Sequence, residues 1–484
     1  MTKQRLDFTL RFAWQWFLLT SAALWAHAAY SSSILVTNFG TDSSSCGSNA
    51  SPCRSISQAI ENAAPGEVIY VGAGRYGDVS GTGTFTGPGD EHAQPASGPF
   101  DYSGCVVCIS KAVQIYSLNG PALTVIQANS AANFPNAVLI TVDKVTFGSP
   151  GHGFGIANGG GNGIVVDLEQ SPGIAHGVTV SGNIDGGDSQ GFVFEGPPGV
   201  PPFGRCPPQN QFCPPPNVGV FLFSDNRANG SGTGFRILTK ASACCGVVTN
   251  NMQIVLKDNV AVGTQTGFSV DKGLLDNCDG CGDNATAGNV TTSNNFAASS
   301  GVGFSLFTAG PVNQNVALSN ATAGFVITAP AGVFTGNSAV SNYGPGVVTL
   351  FFTDNGGHDP PIDFGKFSGN NLYGNDRNRQ PAAVGSSLPT FFPYNPGPSA
   401  HCGVLNLGSI AVAEQVDTLP QPPAPPFRVA TVESAEAFWG SSKGPQSTGP
   451  GDTVGGACDQ NSAVTTASKP FLTSPVSIQA APAL

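Results

Sequence analysis

The chain has 484 residues, of which only 10% are charged, and its formal net charge is −11. An acidic chain without a basic run is repelled by DNA, RNA and anionic lipid, so nucleic-acid binding is excluded. The 64 glycines and 38 prolines approach a disordered composition, but 31 phenylalanines can bury a folded core. The composition predicts an all-β fold of many short strands joined by tight turns.

The first 28 residues have the pattern of a signal peptide. Lys3, Arg5 and Arg11 precede an apolar run over 12–24, and Ala-His-Ala at 26–28 is a cleavage site. We expect the mature chain to begin directly after this site and to be secreted, periplasmic or held at the cell surface. An uncleaved anchor is the alternative. No later stretch approaches ~18 apolar residues, so no further membrane span is expected.

The chain has 12 cysteines, most of them in close pairs. An even number in a secreted chain favours structural disulfides. A metal site built from the two Cys-x-x-Cys pairs is the alternative, although no histidine accompanies either pair. We expect a bridge between Cys402 and Cys458. The disulfide candidates are Cys46, Cys53, Cys105, Cys108, Cys206, Cys213, Cys244, Cys245, Cys278, Cys281, Cys402 and Cys458.

A single helix is predicted, from Ser55 to Ala64. Ser55 and Gln58 form a capping-box pattern, and apolar residues recur on one helical face. Pro65-Gly66 ends the helix, and the first clear strand follows at 68–71.

This opening resembles a known superfamily. The strings CRSISQAIENAAPGEVIYVGAGRY at 53–76 and CISKAVQIYSLNGPALTVIQ at 108–127 are similar to the start of pectin-lyase-like right-handed parallel β-helix proteins. The resemblance implies a single-stranded, right-handed parallel β-helix whose N-terminal helix caps the open end of the coils. It also implies a polysaccharide ligand.

The remaining sequence repeats as such a coil would. Three strands of about five residues with short turns give a coil of roughly 20–30 residues, so residues 105–377 allow about ten coils. A glycine followed by alternating apolar residues recurs at Gly163, Gly191, Gly219, Gly234, Gly267, Gly303, Gly324 and Gly346. Asparagines recur at turn-like positions, which predicts a hydrogen-bonded asparagine ladder of Asn295, Asn320, Asn337, Asn342 and Asn370.

Three segments interrupt the pattern and divide the chain. Residues 77–104 and the proline-rich 197–216 are predicted loop insertions in a β-helix that spans 29–399. Residues 400–484 are predicted to form a loop-rich C-terminal cap, which covers the exposed sheet edge of the last coil. The string at 438–445 resembles the WGS-x-x-GP sequence that closes bacterial surface β-helix proteins.

Two regions are rich in charged residues, whereas no Asp, Glu, Lys, Arg or His occurs from Asn284 to Thr353. Residues 225–283 combine carboxylates with cations, as a polysaccharide lyase requires: Ca²⁺ neutralises a uronate and a Lys or Arg removes a proton. An ordinary solvated face is the alternative. The catalytic candidates are Lys257, Lys272, Arg236, Asp258 and Asp271, and the calcium candidates are Asp271, Asp276 and Asp279. The second charged region, 354–379, is interpreted as the polar end of the last coils.

The catalytic strings of related enzymes are not reproduced. Gly151-His152-Gly153, Asn183-Ile184-Asp185 and Arg236-Ile237-Leu238 resemble polygalacturonase strings, but their order is wrong and no Asp-Asp pair occurs. We interpret all three as coincidence. Aromatic residues that could stack on sugars are Tyr102, Tyr343, Tyr373, Phe391, Phe392, Tyr394 and Trp439.

Three functions remain open. The preferred one is a monomeric, extracellular protein that binds a polysaccharide or another surface component without catalysis. The alternatives are a polysaccharide lyase, favoured over a hydrolase, and a structural envelope protein. Calcium is the only cofactor suggested.

Overall fold

A computed structural model describes most of the chain between residues 33 and 375 and short pieces beyond it. The described residues are 33–95, 103–128, 134–157, 161–168, 176–195, 219–239, 253–272, 290–308, 310–327, 333–344, 346–352, 366–375, 410–415, 437–438, 440, 442, 454–456, 472 and 474–478. No helix within these ranges is long and apolar enough to cross a membrane.

The fold consists of three long parallel sheets, which we name A, B and C in the order in which the chain visits them. Each sheet has 11 strands, and successive strands of one sheet come from successive coils. Every strand pair in these sheets is parallel, and each strand pairs with its equivalent in the next coil. These stacked parallel coils confirm the prediction of an all-β, parallel β-helix-like architecture.

The strand bounds are as follows. Sheet A contains β1 (Ser33–Val36), β2 (Val68–Val71), β5 (Gln114–Ser117), β8 (Thr146–Phe147), β11 (Thr179–Ser181), β14 (Val220–Ser224), β17 (Gln253–Lys257), β20 (Val290–Ser293), β23 (Val312–Asn313), β26 (Val333–Thr335) and β29 (Lys366–Ser368). Sheet B contains β3 (Gly74–Gly77), β6 (Thr124–Gln127), β9 (Gly155–Ala157), β12 (Ile184–Gly186), β15 (Arg227–Asn229), β18 (Val260–Val262), β21 (Phe296–Ala298), β24 (Val316–Leu318), β27 (Ser338–Val340), β30 (Asn370–Tyr373) and β32 (Ala437–Phe438). Sheet C contains β4 (Cys105–Ile109), β7 (Asn136–Ile140), β10 (Asn162–Asp167), β13 (Gln190–Glu195), β16 (Thr233–Thr239), β19 (Thr266–Lys272), β22 (Val302–Leu306), β25 (Ala323–Ile327), β28 (Val347–Phe352), β31 (Ile410–Gln415) and β33 (Val454–Gly456).

The predicted helix is confirmed as α1 (Ile56–Asn62), which packs against β1, β2 and β4 at the first coil. The Ser55 side chain accepts a hydrogen bond from the Gln58 amide at 3.1 Å, as a helix N-cap does. In a capping box the N-cap amide would donate back to the Gln58 side chain, but here the Ser55 amide donates to Asp42 instead. Buried Glu91 accepts further hydrogen bonds from the amides of Ile56 and Ser57. The loop around Glu91 therefore packs onto the helix rather than projecting freely.

The interior of sheet C is a stack of phenyl rings. Neighbouring rings are 4.7 Å apart and nearly parallel, since equivalent strands place one ring above the next. The stack consists of Phe192, Phe235, Phe268, Phe304 and Phe325. A Cβ at the preceding glycine of each strand, such as Gly267, would lie only 2.5 Å from the carbonyl oxygen of Gly303, so no larger residue fits there. Gly219 is different, since it precedes β14 of sheet A and does not belong to this column.

The predicted asparagine ladder is confirmed and proves to be two ladders. At the turn from sheet A to sheet B, each asparagine amide group donates to the side-chain oxygen of its equivalent in the next coil. This first ladder consists of Asn183, Asn226, Asn259, Asn295, Asn315, Asn337 and Asn370. A second ladder, at the turn from B to C, contains Asn320, Asn342 and Asn375.

Two of the predicted disulfides lie within the described residues and are confirmed, Cys46–Cys53 and Cys105–Cys108. The other eight cysteines lie outside these residues. The loop insertion at 197–216 also lies outside them. Three strands, β31, β32 and β33, lie beyond residue 399 and add to sheets B and C, while the boundary predicted there and the cap itself stay predictions.

One piece of the C-terminal tail lies against the last coils. The backbone N–H of Val476 donates to Asn371 Oδ1, and Asn371 Nδ2 donates to the Val476 carbonyl, both at 2.8 Å. Since Leu372 next to Asn371 is in the core, Asn371 lies on the outer face of sheet B. This segment is thus held by its backbone, and the Val476 side chain is 40% exposed.

Candidate functional site on the outer face of sheet C

Two of the five catalytic candidates meet on the outer face of sheet C. Arg236 lies on β16, and its Nε donates to Asp271 Oδ2 on the next strand, β19, at 2.8 Å. The outward direction follows from alternation, because Phe235 and Ile237 on either side of Arg236 belong to the core. The sequence prediction therefore identified a real contact between neighbouring coils.

Two other polar residues complete this contact. Arg236 Nη1 donates to Gln190 Oε1 on β13 at 3.2 Å, and the Ser269 hydroxyl donates to Asp271 Oδ1. We call Gln190, Arg236, Ser269 and Asp271 the Arg236 cluster. It crosses three successive strands of one sheet. The side chains of Arg236 and Asp271 are 34% and 19% exposed, so both can be reached from solvent.

An acidic pair adjoins the cluster. Asp167 on β10 and Glu195 on β13 are register partners at the ends of their strands. Burial and the negative charge of Asp167 raise the pKa of Glu195, and Arg236 offsets part of this effect. Among the described side chains of β10, β13, β16 and β19, the guanidinium of Arg236 is the one positive charge beside the carboxylates of Asp167, Glu195 and Asp271.

Apolar side chains flank the cluster along the same outward file. Leu238 is the register partner of Asp271 on one side. On the other side, the Phe307 amide donates to the Val270 carbonyl at 2.9 Å, which continues the ladder and places Phe307 level with Asp271. Since Leu306 is in the core, alternation places half-buried Phe307 on the outer face. The surface therefore combines hydrogen-bonding groups with an aromatic neighbour.

The same coils carry long connections. The chain leaves sheet C after β13, β16 and β19 through residues 196–219, 240–252 and 273–289, whereas 307–311 suffice after β22. Binding residues in repeat folds concentrate where such insertions leave one face of the scaffold. The long connections and the Arg236 cluster belong to the same three strands. We therefore take the outer face of sheet C at these strands as the candidate site.

Lys257 and Asp258 do not join the Arg236 cluster. Lys257 is the last residue of β17 in sheet A, and Asp258 begins the turn toward sheet B. Lys257 Nζ lies 3.4 Å from Asp258 Oδ2, and the two side chains are 55% and 21% exposed. Asp258 has a φ of 57°, a left-handed turn conformation that Asp and Asn tolerate. The four candidates whose side chains are described are therefore divided between two faces of the coil.

The remaining candidates are only partly placed. Lys272 ends β19 as the register partner of Thr239, and its side chain lies outside the described residues. Asp276 and Asp279 also lie outside them, so the calcium prediction stays untested at two of its three positions. Within the described ranges no group of three or more His, Cys, Asp or Glu side chains is arranged to hold a metal ion.

Asp185 is a buried acid that the sequence prediction missed as a structural feature. Its neighbours in register, Ile156 and Ala228, belong to the core, so its carboxyl group lies inside the coil. The Ser231 hydroxyl donates to Asp185 Oδ2 at 2.5 Å. Burial, together with the hydrogen bond and charge of Asp188, raises the pKa of Asp185 to about 9. The group is protonated at neutral pH and enclosed, and a polymer outside the coil cannot reach it.

The three strings that resemble polygalacturonases do not converge. Asp185 is inside the coil, and Arg236 lies on the outer face of sheet C. His152 lies at an exposed turn before β9, where its Nδ1 is 3.0 Å from the Ser117 carbonyl oxygen. This separation agrees with the interpretation of the strings as coincidence.

Most of the predicted sugar-stacking aromatics lie outside the described residues. Of those described, Tyr343 is 45% exposed, and Tyr373 packs edge-on against Phe438 at 5.5 Å. Sequence reasoning missed Tyr70 and Tyr116, whose rings are 6.3 Å apart on the outer face of sheet A. It also missed Gln190, Glu195, Ser269 and Phe307, although strand alternation beside the core phenylalanines indicates their outward direction.

Comparisons with known proteins do not add a relative. No protein-family profile matches the chain, no curated protein is significantly similar to it, and no solved structure matches it significantly. The resemblance to pectin-lyase-like proteins therefore depends on the strings at 53–76 and 108–127 alone, and function has to be argued from the surface.

Proposed function

We propose that the protein binds a polysaccharide, or another glycan-bearing surface component, along the outer face of sheet C without catalysing a reaction. The observation that carries this proposal is the Arg236 cluster, which places a guanidinium, a carboxylate, an amide and a hydroxyl on three successive strands beside Phe307. Sugar sites combine such fixed polar groups with an apolar or aromatic surface.

The arrangement favours binding over lyase chemistry. A lyase requires a free base and an excess of cationic groups near the uronate carboxylate. Arg236 is engaged by Asp271 and Gln190, and Lys257, one of the two lysines expected to act with it, lies on sheet A. An assay for the ultraviolet absorbance of unsaturated uronate products tests the lyase alternative directly.

The finer description of the fold belongs to the same proposal. We infer a right-handed coil, the sense of about 98% of parallel crossovers. Helix α1 would cap its first end, since it packs on the strands of the first coil. An oxidising, extracellular location would suit the two disulfides, and a pectin-lyase-like ancestry would suit the opening strings.

A glycan array followed by polysaccharide pull-down with the mature chain tests the proposed function. Arg236→Ala and Asp271→Ala are expected to weaken binding roughly tenfold or more, as truncation of a central contact does. Lys257→Ala, which removes an exposed charge from another face, is the matched control and should bind as the wild type does. A blank array for the folded wild-type chain would contradict the proposal.

A further inference from the structure

The charge around the Arg236 cluster distinguishes between classes of polysaccharide. The described outer face of β10, β13, β16 and β19 contains three carboxylates, of Asp167, Glu195 and Asp271, and the guanidinium of Arg236. Arg236 already has a carboxylate partner at 2.8 Å. Burial is the largest cause of the raised pKa of Glu195, and the negative charge of Asp167 adds to it. The whole chain is acidic as well, with a net charge of −11.

We propose that this face selects uncharged polysaccharides and excludes those built from uronic acids, an inference that rests on the proposed glycan-binding function. A uronate carboxylate placed over the cluster would lie among three protein carboxylates, and among the described side chains of these four strands a single guanidinium offsets them. Like charges brought together in a binding site are an effective way to reject a ligand. A neutral sugar incurs no such repulsion.

The hydrogen-bonding groups suit hydroxyls. A sugar hydroxyl both donates and accepts, so it can bridge a carboxylate oxygen of Asp271 and an N–H of Arg236. Because these groups are fixed to each other and to Gln190 and Ser269, they are oriented before the ligand arrives. Phe307, level with Asp271, offers an apolar surface to the C–H face of a sugar ring.

The test compares neutral and acidic polymers on the mature wild-type chain by affinity electrophoresis. The neutral panel is xylan, mannan and mixed-linkage glucan, and the acidic panel is polygalacturonate and alginate. We expect at least one neutral polymer to bind at least about fivefold more tightly than either acidic polymer at low salt. Its affinity should change less than about twofold between roughly 50 and 500 mM NaCl, because no net charge is exchanged.

Two charge-removing variants test the cause. Glu195→Gln and Asp167→Asn keep side-chain size and remove acidic charge beside the cluster, so each should raise the affinity for polygalacturonate severalfold. Neither residue belongs to the Arg236 cluster, and neutral-polymer binding should persist. Asp258→Asn, on the turn of another face, is the matched control and should not raise uronate affinity. Thermal unfolding confirms that each variant is folded.

The outcomes distinguish a failure of the proposed selectivity from a failure of the proposed glycan binding. If the wild type binds an acidic polymer more tightly than the neutral ones, the proposed selectivity is wrong but glycan binding stands. The same holds if it binds a polycationic polymer such as chitosan more tightly than every neutral polymer. Uronate affinity that is unchanged in both Glu195→Gln and Asp167→Asn would overturn its electrostatic cause. Failure of every polymer to bind would instead contradict the proposed function itself.

Discussion

The middle coils, Gln190 to Lys272, and the late coils, Val290 to Val340, have the same interior and different exteriors. The phenyl stack passes through both at the same 4.7 Å spacing. Outside, the middle coils carry the Arg236 cluster and long connections, whereas the sequence from Asn284 to Thr353 contains no Asp, Glu, Lys, Arg or His. The interior therefore specifies the coil, and the exterior distinguishes one coil from another.

This difference follows from strand alternation. Inward and outward side chains are successive residues of one strand, so an outward residue can change while the stack below it stays the same. The late coils contain the features that form the coil itself: stacked rings, alanines, glycines and amide ladders. What the middle coils have in addition is available for binding.

The largest expected effect tests the claim that the two interiors are equivalent. Phe235→Ala in a middle coil and Phe304→Ala in a late coil each remove a buried ring with a stacked ring on both sides. Each should lower the free energy of unfolding by about 3–5 kcal/mol. Denaturant unfolding measures both. A difference of more than about 2 kcal/mol between the two variants, larger than the whole expected range, would contradict the equivalence of the two interiors.

A smaller effect concerns Asp185, the buried acid on β12, just before the middle coils. The folded-state pKa of Asp185 is raised from 3.8 to about 9, so its contribution to stability is fully present below pH 4 and is lost as the pH rises toward 9. Asp185→Asn removes this dependence. The variant should be more stable than the wild type above pH 7, by on the order of 2 kcal/mol, and no more stable near pH 4.

Thermal unfolding across this pH range measures the Asp185 effect. Parallel stability curves for the wild type and Asp185→Asn would show that the buried carboxyl does not titrate as described.

The smallest effect concerns the ladder at the border of the two regions. Asn295 donates to the Leu256 carbonyl and accepts from the Asn259 amide, so Asn295→Ala leaves two buried backbone groups without this partner. We expect a loss of about 1–2 kcal/mol in denaturant unfolding. Asn294→Gly is the control, because glycine suits this left-handed position, where φ is 55°. It removes a partly buried hydrogen bond to Asp258 but leaves the ladder intact, so a smaller loss is expected. Equal losses would argue against the ladder as a stabilising feature.

The sequence predicted the scaffold better than the site, for a physical reason. Strand periodicity and turn asparagines are local, so Asn295, Asn320 and Asn342 were identified as ladder residues without knowledge of the coil order. Gly219 was grouped with the sheet C glycines because its local pattern is the same. Only strand pairing reveals that it precedes a strand of sheet A.

The candidate site depends on which coil faces which, and local patterns do not contain that information. Arg236 and Lys257 are close in sequence and lie on different sheets, because one long connection separates β16 from β17. A signal for the register does exist. In the first ladder each asparagine follows a left-handed turn residue, as in Asp225-Asn226 and Asp258-Asn259. This dipeptide would have assigned Asp258 to a turn.

Because equivalent strands stack regularly, the number of coils in this protein can change during evolution. Each coil contacts chiefly the coil before it and the coil after it, so stability accumulates approximately one coil at a time. A duplicated coil whose ring, glycine and asparagine match those of its neighbours would fit between them without rebuilding either end. Duplication of a middle coil would lengthen a binding surface by one strand spacing, about 4.8 Å, and duplication of a late coil would extend only the support.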